Sequence, residues 1–270
     1  MALVDFLAFV GVGCAIGFLA GFFGVGGGML IVPILIFSYE QTGVSPAVLT
    51  HIAIATSLFV IVFASLTSAY QHGKQGNVEW RSVFVLGFSS ALTALGATTL
   101  ALRLSGRHLQ IFFGLIVMAT AIGMLTEGEA KALKKLELSA KPGIPGLVGV
   151  GLAAGVVAAL AGVGGGVVTI PMMYYFLNMP LKLAIGTSSA TIVITALFSV
   201  AGYILNGLGR AGLPAWSIGF VDLQRGAALA IGTILMARAG AYVSFKTHPF
   251  RLRKIFALFV VLVSIYMLVK

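Results

Sequence analysis

Long, almost unbroken apolar runs dominate this chain, among them residues 3–22, 83–102 and 255–269. A run of about 18 or more apolar residues can cross a hydrocarbon core of ~30 Å. Lipid offers no partner to open backbone N–H and C=O groups, so such runs must close their hydrogen bonds internally, as helices. Only 9% of the residues are charged and the mean hydropathy is +1.08, whereas a soluble domain carries about 25% charged residues to cover its surface. The expected fold class is an all-α polytopic membrane protein with roughly 8–10 membrane segments. The first run lacks a basic leader and carries Asp5 instead, so it is read as a retained helix rather than a cleaved signal.

The formal net charge of +10 would suggest nucleic acid in a soluble chain. Here Lys and Arg lie between apolar runs, with no basic face interleaved with aromatics, so they are read as topology signals and lipid head-group contacts. Cys14 is the single cysteine, which excludes an intrachain disulfide and a thiolate metal cluster. Neither a cofactor nor a metal is expected.

The chain repeats itself. Gly24-Val25-Gly26-Gly27-Gly28 precedes Pro33 as Gly162-Val163-Gly164-Gly165-Gly166 precedes Pro171. A Thr-Ser pair then opens an apolar helix in each half, Thr56-Ser57 and Thr187-Ser188. Next comes Gly-x-Val followed by an acid, ending at Glu79 in one half and Asp222 in the other. Leu109 and Phe113 match Leu252 and Phe256. Segments are expected at 4–22, 29–37, 47–70, 82–102 and 109–126, and again at 144–161, 167–177, 183–205, 217–237 and 250–269. This divides the chain into a first transmembrane repeat over 1–126, a linker over 127–142 and a second repeat over 143–270.

The distribution of Lys and Arg over short loops decides the relative orientation of the halves. If each half crosses an odd number of times, Lys74, Arg81, Lys131, Lys134, Lys135, Lys141, Lys182, Arg238, Lys246, Arg251, Arg253 and Lys254 share one side. An even number of crossings removes the asymmetry. Inverted-topology repeats follow, with the linker cytoplasmic and both termini extracytoplasmic.

Consecutive glycines destabilise a helix by about 1 kcal/mol each relative to Ala, and freed backbone groups in lipid require protein or a watered cavity. Transporters built of inverted repeats set such breaks near the midplane, where helix N-termini face anionic groups. Gly26, Gly27, Gly28, Gly164, Gly165 and Gly166 are therefore candidate substrate-binding residues, and the absence of Asp or Glu from both breaks favours an anion. A bulky side chain at Gly27 or Gly165 would, on this reading, fill the ligand's space. The competing reading is close helix packing. Thr56, Ser57, Thr187, Ser188 and Ser189 supply hydroxyls for an oxyanion, or alternatively bonds to carbonyls one turn back. Glu79 and Asp222 stand in the first turn of a helix, where a carboxylate complements the dipole; together with His51 they are candidates for proton coupling. His72, His108 and His248 are expected in loops or at helix ends, facing water or lipid head groups.

The paired glycine breaks, the Thr-Ser helices and Gly76-Asn77-Val78-Glu79-Trp80 together resemble the TauE/SafE family of sulfite and organosulfur-anion exporters, over residues 6–268. Ala55-Thr56-Ser57 departs from the more usual Gly186-Thr187-Ser188. The resemblance implies a secondary transporter in a bacterial-type inner membrane that moves sulfite, a sulfonate such as sulfoacetate or a related anion, in the direction of export. A passive anion channel is the alternative. The absence of a phosphate-cradling Gly-x-x-x-x-Gly-Lys-Ser/Thr motif leaves proton or potential coupling as the energy source, and no catalytic motif lies in the apolar runs, so an enzyme is not expected. The expected partners are a small anionic substrate and membrane lipid, with a homodimer as a further candidate and nucleic acid excluded.

Overall fold

A computed structural model describes residues 3–101 and 142–269, with positions 115, 118, 122, 125 and 126 between them. The segment expected at 109–126 and the linker fall largely outside the described residues, as do the Leu109/Phe113 landmark and His108. The first half contains α1 (Leu3–Phe23), α2 (Gly28–Gln41), α3 (Pro46–Lys74) and α4 (Trp80–Ala101). The second contains α5 (Ile144–Ala161), α6 (Gly166–Phe176), α7 (Leu181–Gly207), α8 (Leu223–Lys246) and α9 (Pro249–Val269). Six of these, α1, α3, α4, α5, α7 and α8, are long and apolar enough to cross a membrane. The shorter α2 and α6 follow the glycine breaks. The protein is an all-α polytopic membrane protein.

The expected segment at 217–237 starts six residues too early. Ser217–Ile218 (β1) and Val221–Asp222 (β2) pair in a minimal antiparallel hairpin around Gly219, whose φ is +54°. The helix begins only after Asp222, whose carboxylate accepts the N–H groups of Gln224 and Arg225.

Contacts between helices fix their directions. In α1, Gly13, Gly17 and Gly21 meet Leu229, Thr233 and Ala237 of α8 in ascending order, so the two run parallel. Gly151 and Gly155 of α5 likewise meet Leu86 and Ser90 of α4. Phe59 of α3 touches Gly226 of α8 while Gln71 bonds Arg238, again parallel; Ile194 and Gly202 of α7 meet Gly87 and Thr98 of α4 in the same sense. The α3–α4 connection is a tight turn over 75–79, which makes α3 and α4 antiparallel. Helices α1, α3 and α8 therefore point one way, and α4, α5 and α7 the other. Each equivalent pair (α1 and α5, α3 and α7, α4 and α8) is opposed, which is the geometry of inverted halves. Ala101 and Ile144 consequently lie at opposite ends of the bundle.

The same directions sort the charges. Lys74, Arg81, Lys182, Arg238, Lys246, Arg251, Arg253 and Lys254 gather at one end, here the basic end. Among the described residues, Arg210 and Arg225 are the Lys and Arg side chains at the opposite end.

What lets α1 lie on α8 is the absence of side chains. A Cβ at Gly17 would stand 2.5 Å from Thr233 Cα, and one at Gly21 would collide with the Ala237 carbonyl. Without water to drive apolar helices together, this small-residue spacing of four gives association through backbone approach and van der Waals contact. Gly11 lies on the same helix with nothing within 4 Å of a Cβ built on it. Gly17→Leu is thus expected to destabilise the purified protein by about 1–3 kcal/mol or more through overpacking, read as a lowered thermal midpoint in detergent, while Gly11→Leu leaves that midpoint unchanged.

Candidate functional site

The two glycine breaks cross at the centre of the molecule. Gly24, Gly26 and Gly27 have φ of +69°, +82° and +84°; Gly162, Gly164 and Gly165 have +66°, +74° and +82°. Side chains rarely adopt such angles, so glycine is required in each break to turn the chain from α1 into α2 and from α5 into α6. A Cβ on Gly28 would collide with the Gly162 carbonyl and come within 2.8 Å of Val163 Cα. One on Gly166 would stand 2.8 Å from Val25 Cα and 3.1 Å from Gly24 O. Each short helix therefore begins against the other half's break, and their N-terminal N–H groups, which no intrahelical carbonyl can reach, share one region.

The six candidate glycines divide by direction. Gly26 and Gly164 both face Ile61 and Ile192, equivalent residues of α3 and α7 that close the centre from either side. Gly28 and Gly166 face the opposite break. Gly27 and Gly165 look elsewhere: a Cβ at Gly27 would lie 2.6 Å from Ile16 Cγ2 of α1, and one at Gly165 2.8 Å from Ala154 O of α5. The space that a side chain at Gly27 or Gly165 would take is helix packing, not the central region, because positive φ at successive residues swings alternate faces outward.

The Thr-Ser pairs hold this crossing in reciprocal fashion. Ser57 Oγ donates to Gly162 O at 2.9 Å and Ser188 Oγ to Gly24 O at 3.2 Å. Thr56 Oγ1 accepts the N–H of Asp222 at 3.0 Å, and Thr187 Oγ1 accepts that of Glu79, also at 3.0 Å. Ser189 Oγ donates to Ile185 O at 3.0 Å and lies 3.1 Å from Ser68 Oγ. All five hydroxyls are buried, and each is engaged with protein. Gly186 replaces Ala55 for a visible reason: a Cβ there would collide with the Asn77 carbonyl.

Glu79 and Asp222 are helix caps. Glu79 Oε2 accepts the N–H of Ser82 at the start of α4, as Asp222 Oδ1 accepts those of Gln224 and Arg225 at the start of α8. The Asp222 end carries more. Its Oδ2 accepts Arg225 Nη1 at 2.9 Å and the Tyr39 hydroxyl at 3.2 Å. Arg225 also donates to Ser38 Oγ at 3.0 Å and Thr42 Oγ1 at 3.1 Å, and stacks 4.7 Å from the Tyr39 ring centroid. This network ties α2 to α8 at the end opposite the basic one, beneath a cavity of about 410 Å³ lined by Thr42, Ser45, Leu213 and Arg225. His51 sits at the same end, half-buried, its ring 5.5 Å from that of Phe220.

A family model described as sulfite exporter TauE/SafE matches residues 9–267. The chain belongs to that family. A probable membrane transporter protein of Haemophilus influenzae is 30% identical over 261 residues, 96% of each chain. A protein of the same description from Methanocaldococcus jannaschii is 28% identical over 259 residues, 95% of this chain and 93% of that one. Sulfite exporter TauE/SafE family protein 2 of Arabidopsis thaliana is 37% identical over 114 residues, 41% of this chain and 23% of the plant protein. No solved structure matches.

Within this TauE/SafE chain the residues that sequence reasoning missed are those that distinguish the two ends. His72 does not face water: it is 1% exposed, and its Nε2–H donates to Gly21 O at 3.2 Å. Aligning Thr56-Ser57 with Thr187-Ser188 sets Tyr203 in the equivalent place, and its hydroxyl donates to Ala159 O at 2.7 Å. Gly21 and Ala159 are themselves equivalent, each three residues before a break. His72 lies in α3 because the helix continues through Gly73 to Lys74, where glycine and lysine had suggested a loop. The links of Tyr39 to Asp222 and of Arg225 to Ser38 and Thr42 left no comparable signal, since each joins residues of opposite halves.

Asp222→Ala strands the Arg225 guanidinium, which is only 13% exposed. It should destabilise the protein by about 3–5 kcal/mol, whereas Glu79→Ala, the loss of a cap alone, should cost about 1 kcal/mol. Thermal denaturation of the two variants in one detergent checks the order.

Proposed function

We propose that this TauE/SafE protein is a secondary transporter that carries a small sulfur oxyanion, sulfite or an organosulfonate such as sulfoacetate, out across the inner membrane. The observation that carries the reading is the crossing of the two breaks. Two helix N-termini meet at the inversion centre, and the positive ends of both dipoles and their free N–H groups serve one negative charge. A carboxylate in either break would oppose an anion, and both lack one. Sulfite and sulfonates present three oxygens, which match several N–H donors better than a halide would.

Exchange between the halves suits alternating access. Ile61 and Ile192 close the centre from either side by symmetry, so a rearrangement that withdraws one of them while the other stays in place would open one side and leave the other sealed. The first repeat covers 1–126 and the second 143–270, joined by a cytoplasmic linker over 127–142. The basic end is the cytoplasmic one, in line with the positive-inside rule, which puts both termini and the Asp222–Arg225 network outside. An anion leaving a negative-inside cell runs down the potential, worth about 2.3 kcal/mol per charge per 100 mV.

Purified protein in liposomes preloaded with sulfite should release it with saturable kinetics and show counterflow against external sulfite. Ohmic single-channel currents without counterflow would contradict a carrier, and the absence of any sulfur oxyanion flux would contradict the function. Reporter fusions after residue 269 should report an extracytoplasmic terminus.

A further inference from the structure

We propose that α3 carries a hydrated half-channel from Gly26 through Ser65, Ser68 and His72 to the α3–α4 turn, by which a small oxyanion reaches the glycine breaks from the basic end. The nature of the cargo rests on the transport reading above; the half-channel itself rests on the following geometry.

Ser65, Ser68 and His72 are spaced three and four residues apart and so share one face of α3. Each is 1% exposed. The inner end of this stripe borders the break, since Ser65 Oγ lies 3.2 Å from a Cβ built on Gly26. Its outer end reaches the turn at 75–79, where the Asn77 N–H donates to His72 O at 3.0 Å.

On α3, in the turn that follows it and at the start of α4, several buried polar atoms have no hydrogen-bond partner among the described residues: Ser65 Oγ, His72 Nδ1, both ends of the Gln75 amide, Asn77 Nδ2 and Ser82 Oγ. Ser217 Oγ, in the hairpin at the opposite end, is a further such atom. A buried hydroxyl or amide left unpaired costs about 1–3 kcal/mol, and so many neighbours on one path do not stay dry. They also demand a ligand of mixed character. The Nε2–H of His72 is committed to Gly21 O, so Nδ1 of the neutral ring offers a lone pair and requires a donor, while Asn77 Nδ2 requires an acceptor. Water satisfies both.

The mirrored route argues the same point by contrast. Ser65 is replaced there by Ala196, and Ser189, which faces Ser68, by Leu58. Ser68 is replaced by Ser199, whose hydroxyl is satisfied by Thr195 O at 2.9 Å. His72 becomes Tyr203, a larger side chain whose hydroxyl is bonded to Ala159 O. That half is apolar or satisfied, and the Arg225 network lies beyond it. Equivalent positions of one inverted fold thus form a wet route on the basic side and a sealed one on the other. The eight described Lys and Arg residues at the basic end, where this route would open, raise the local concentration of anions. Glu79, the carboxylate nearby, is held as the α4 cap.

The test is accessibility, read without any transported substrate. In a Cys14→Ala background, Ser65→Cys and Ala196→Cys are made singly, placed in lipid nanodiscs and treated with a small sulfonated methanethiosulfonate, an anionic thiol reagent. Mass spectrometry gives the rate of modification. Ser65→Cys should react about tenfold or more faster than Ala196→Cys, because thiol reactivity follows access to water. Adding His72→Tyr, the residue of the sealed route, should slow Ser65→Cys toward the rate of Ala196→Cys. Equal rates at the two positions, faster reaction at Ala196→Cys, or an inert Ser65→Cys would each overturn the half-channel. Should His72→Tyr fail to fold, the comparison of the two single cysteines still decides. Absence of sulfite flux in the unsubstituted protein, with a reactive Ser65→Cys, would strike the function and spare the route; flux in the unsubstituted protein with an inert Ser65→Cys would do the reverse.

Discussion

Everything in this molecule depends on one backbone-to-backbone crossing. Gly28 starts its helix against the carbonyl of Gly162, and Gly166 starts its own against Val25 and Gly24. A methyl group at either position would meet main-chain atoms that cannot rotate away. The crossing therefore permits hydrogen alone, and its positive-φ neighbours permit little besides glycine. Broken helices are tolerable at such depth only where protein takes over the freed polar groups. Here the takeover is mutual: each half's break is satisfied by the other half's serine, Ser57 on Gly162 and Ser188 on Gly24.

That mutual arrangement extends outward from the centre. Thr56 holds the hairpin that ends in Asp222, and Thr187 holds the turn that contains Glu79. Helix α1 lies along α8 and α5 along α4, so the principal helix–helix contacts also join one half to the other. Neither half can complete its packing alone. The departures from symmetry then stand out as choices of chemistry: Arg225, paired with Asp222 and stacked on Tyr39, ties the extracytoplasmic end of the proposed orientation, while His72 and its serine neighbours leave the basic end polar.

Much of this was legible in the sequence. The apolar runs placed α5 at its observed bounds and most other helices within a few residues, because hydropathy reports directly on lipid contact. The start of α8 escaped, since Phe220 and Val221 are as apolar as a helix and only the cap at Asp222 marks the boundary. Lys74 and Gly73 disguised the last turn of α3, which hid His72. Gly13, Gly17 and Gly21 stood in plain view at helix-packing spacing, yet only the structure reveals that α8 is what they meet. The glycine breaks were recognisable as breaks, but the division of labour among Gly26, Gly27 and Gly28 was not, because it follows from φ angles. Thr56 with Asp222 and Thr187 with Glu79 could not be paired from sequence, since each bond joins two halves whose inversion must first be known.

The most direct test of the central claim observes the amides themselves. Nitrogen-15 labelling of the glycines, with Gly26 and Gly164 assigned by substitution, allows their N–H resonances to be followed by nuclear magnetic resonance as sulfite is added to protein in nanodiscs. The account predicts that both resonances move together along one saturable binding curve while exposed Gly43 stays in place. Unmoved resonances at Gly26 and Gly164, with shifts confined to surface glycines, would contradict it.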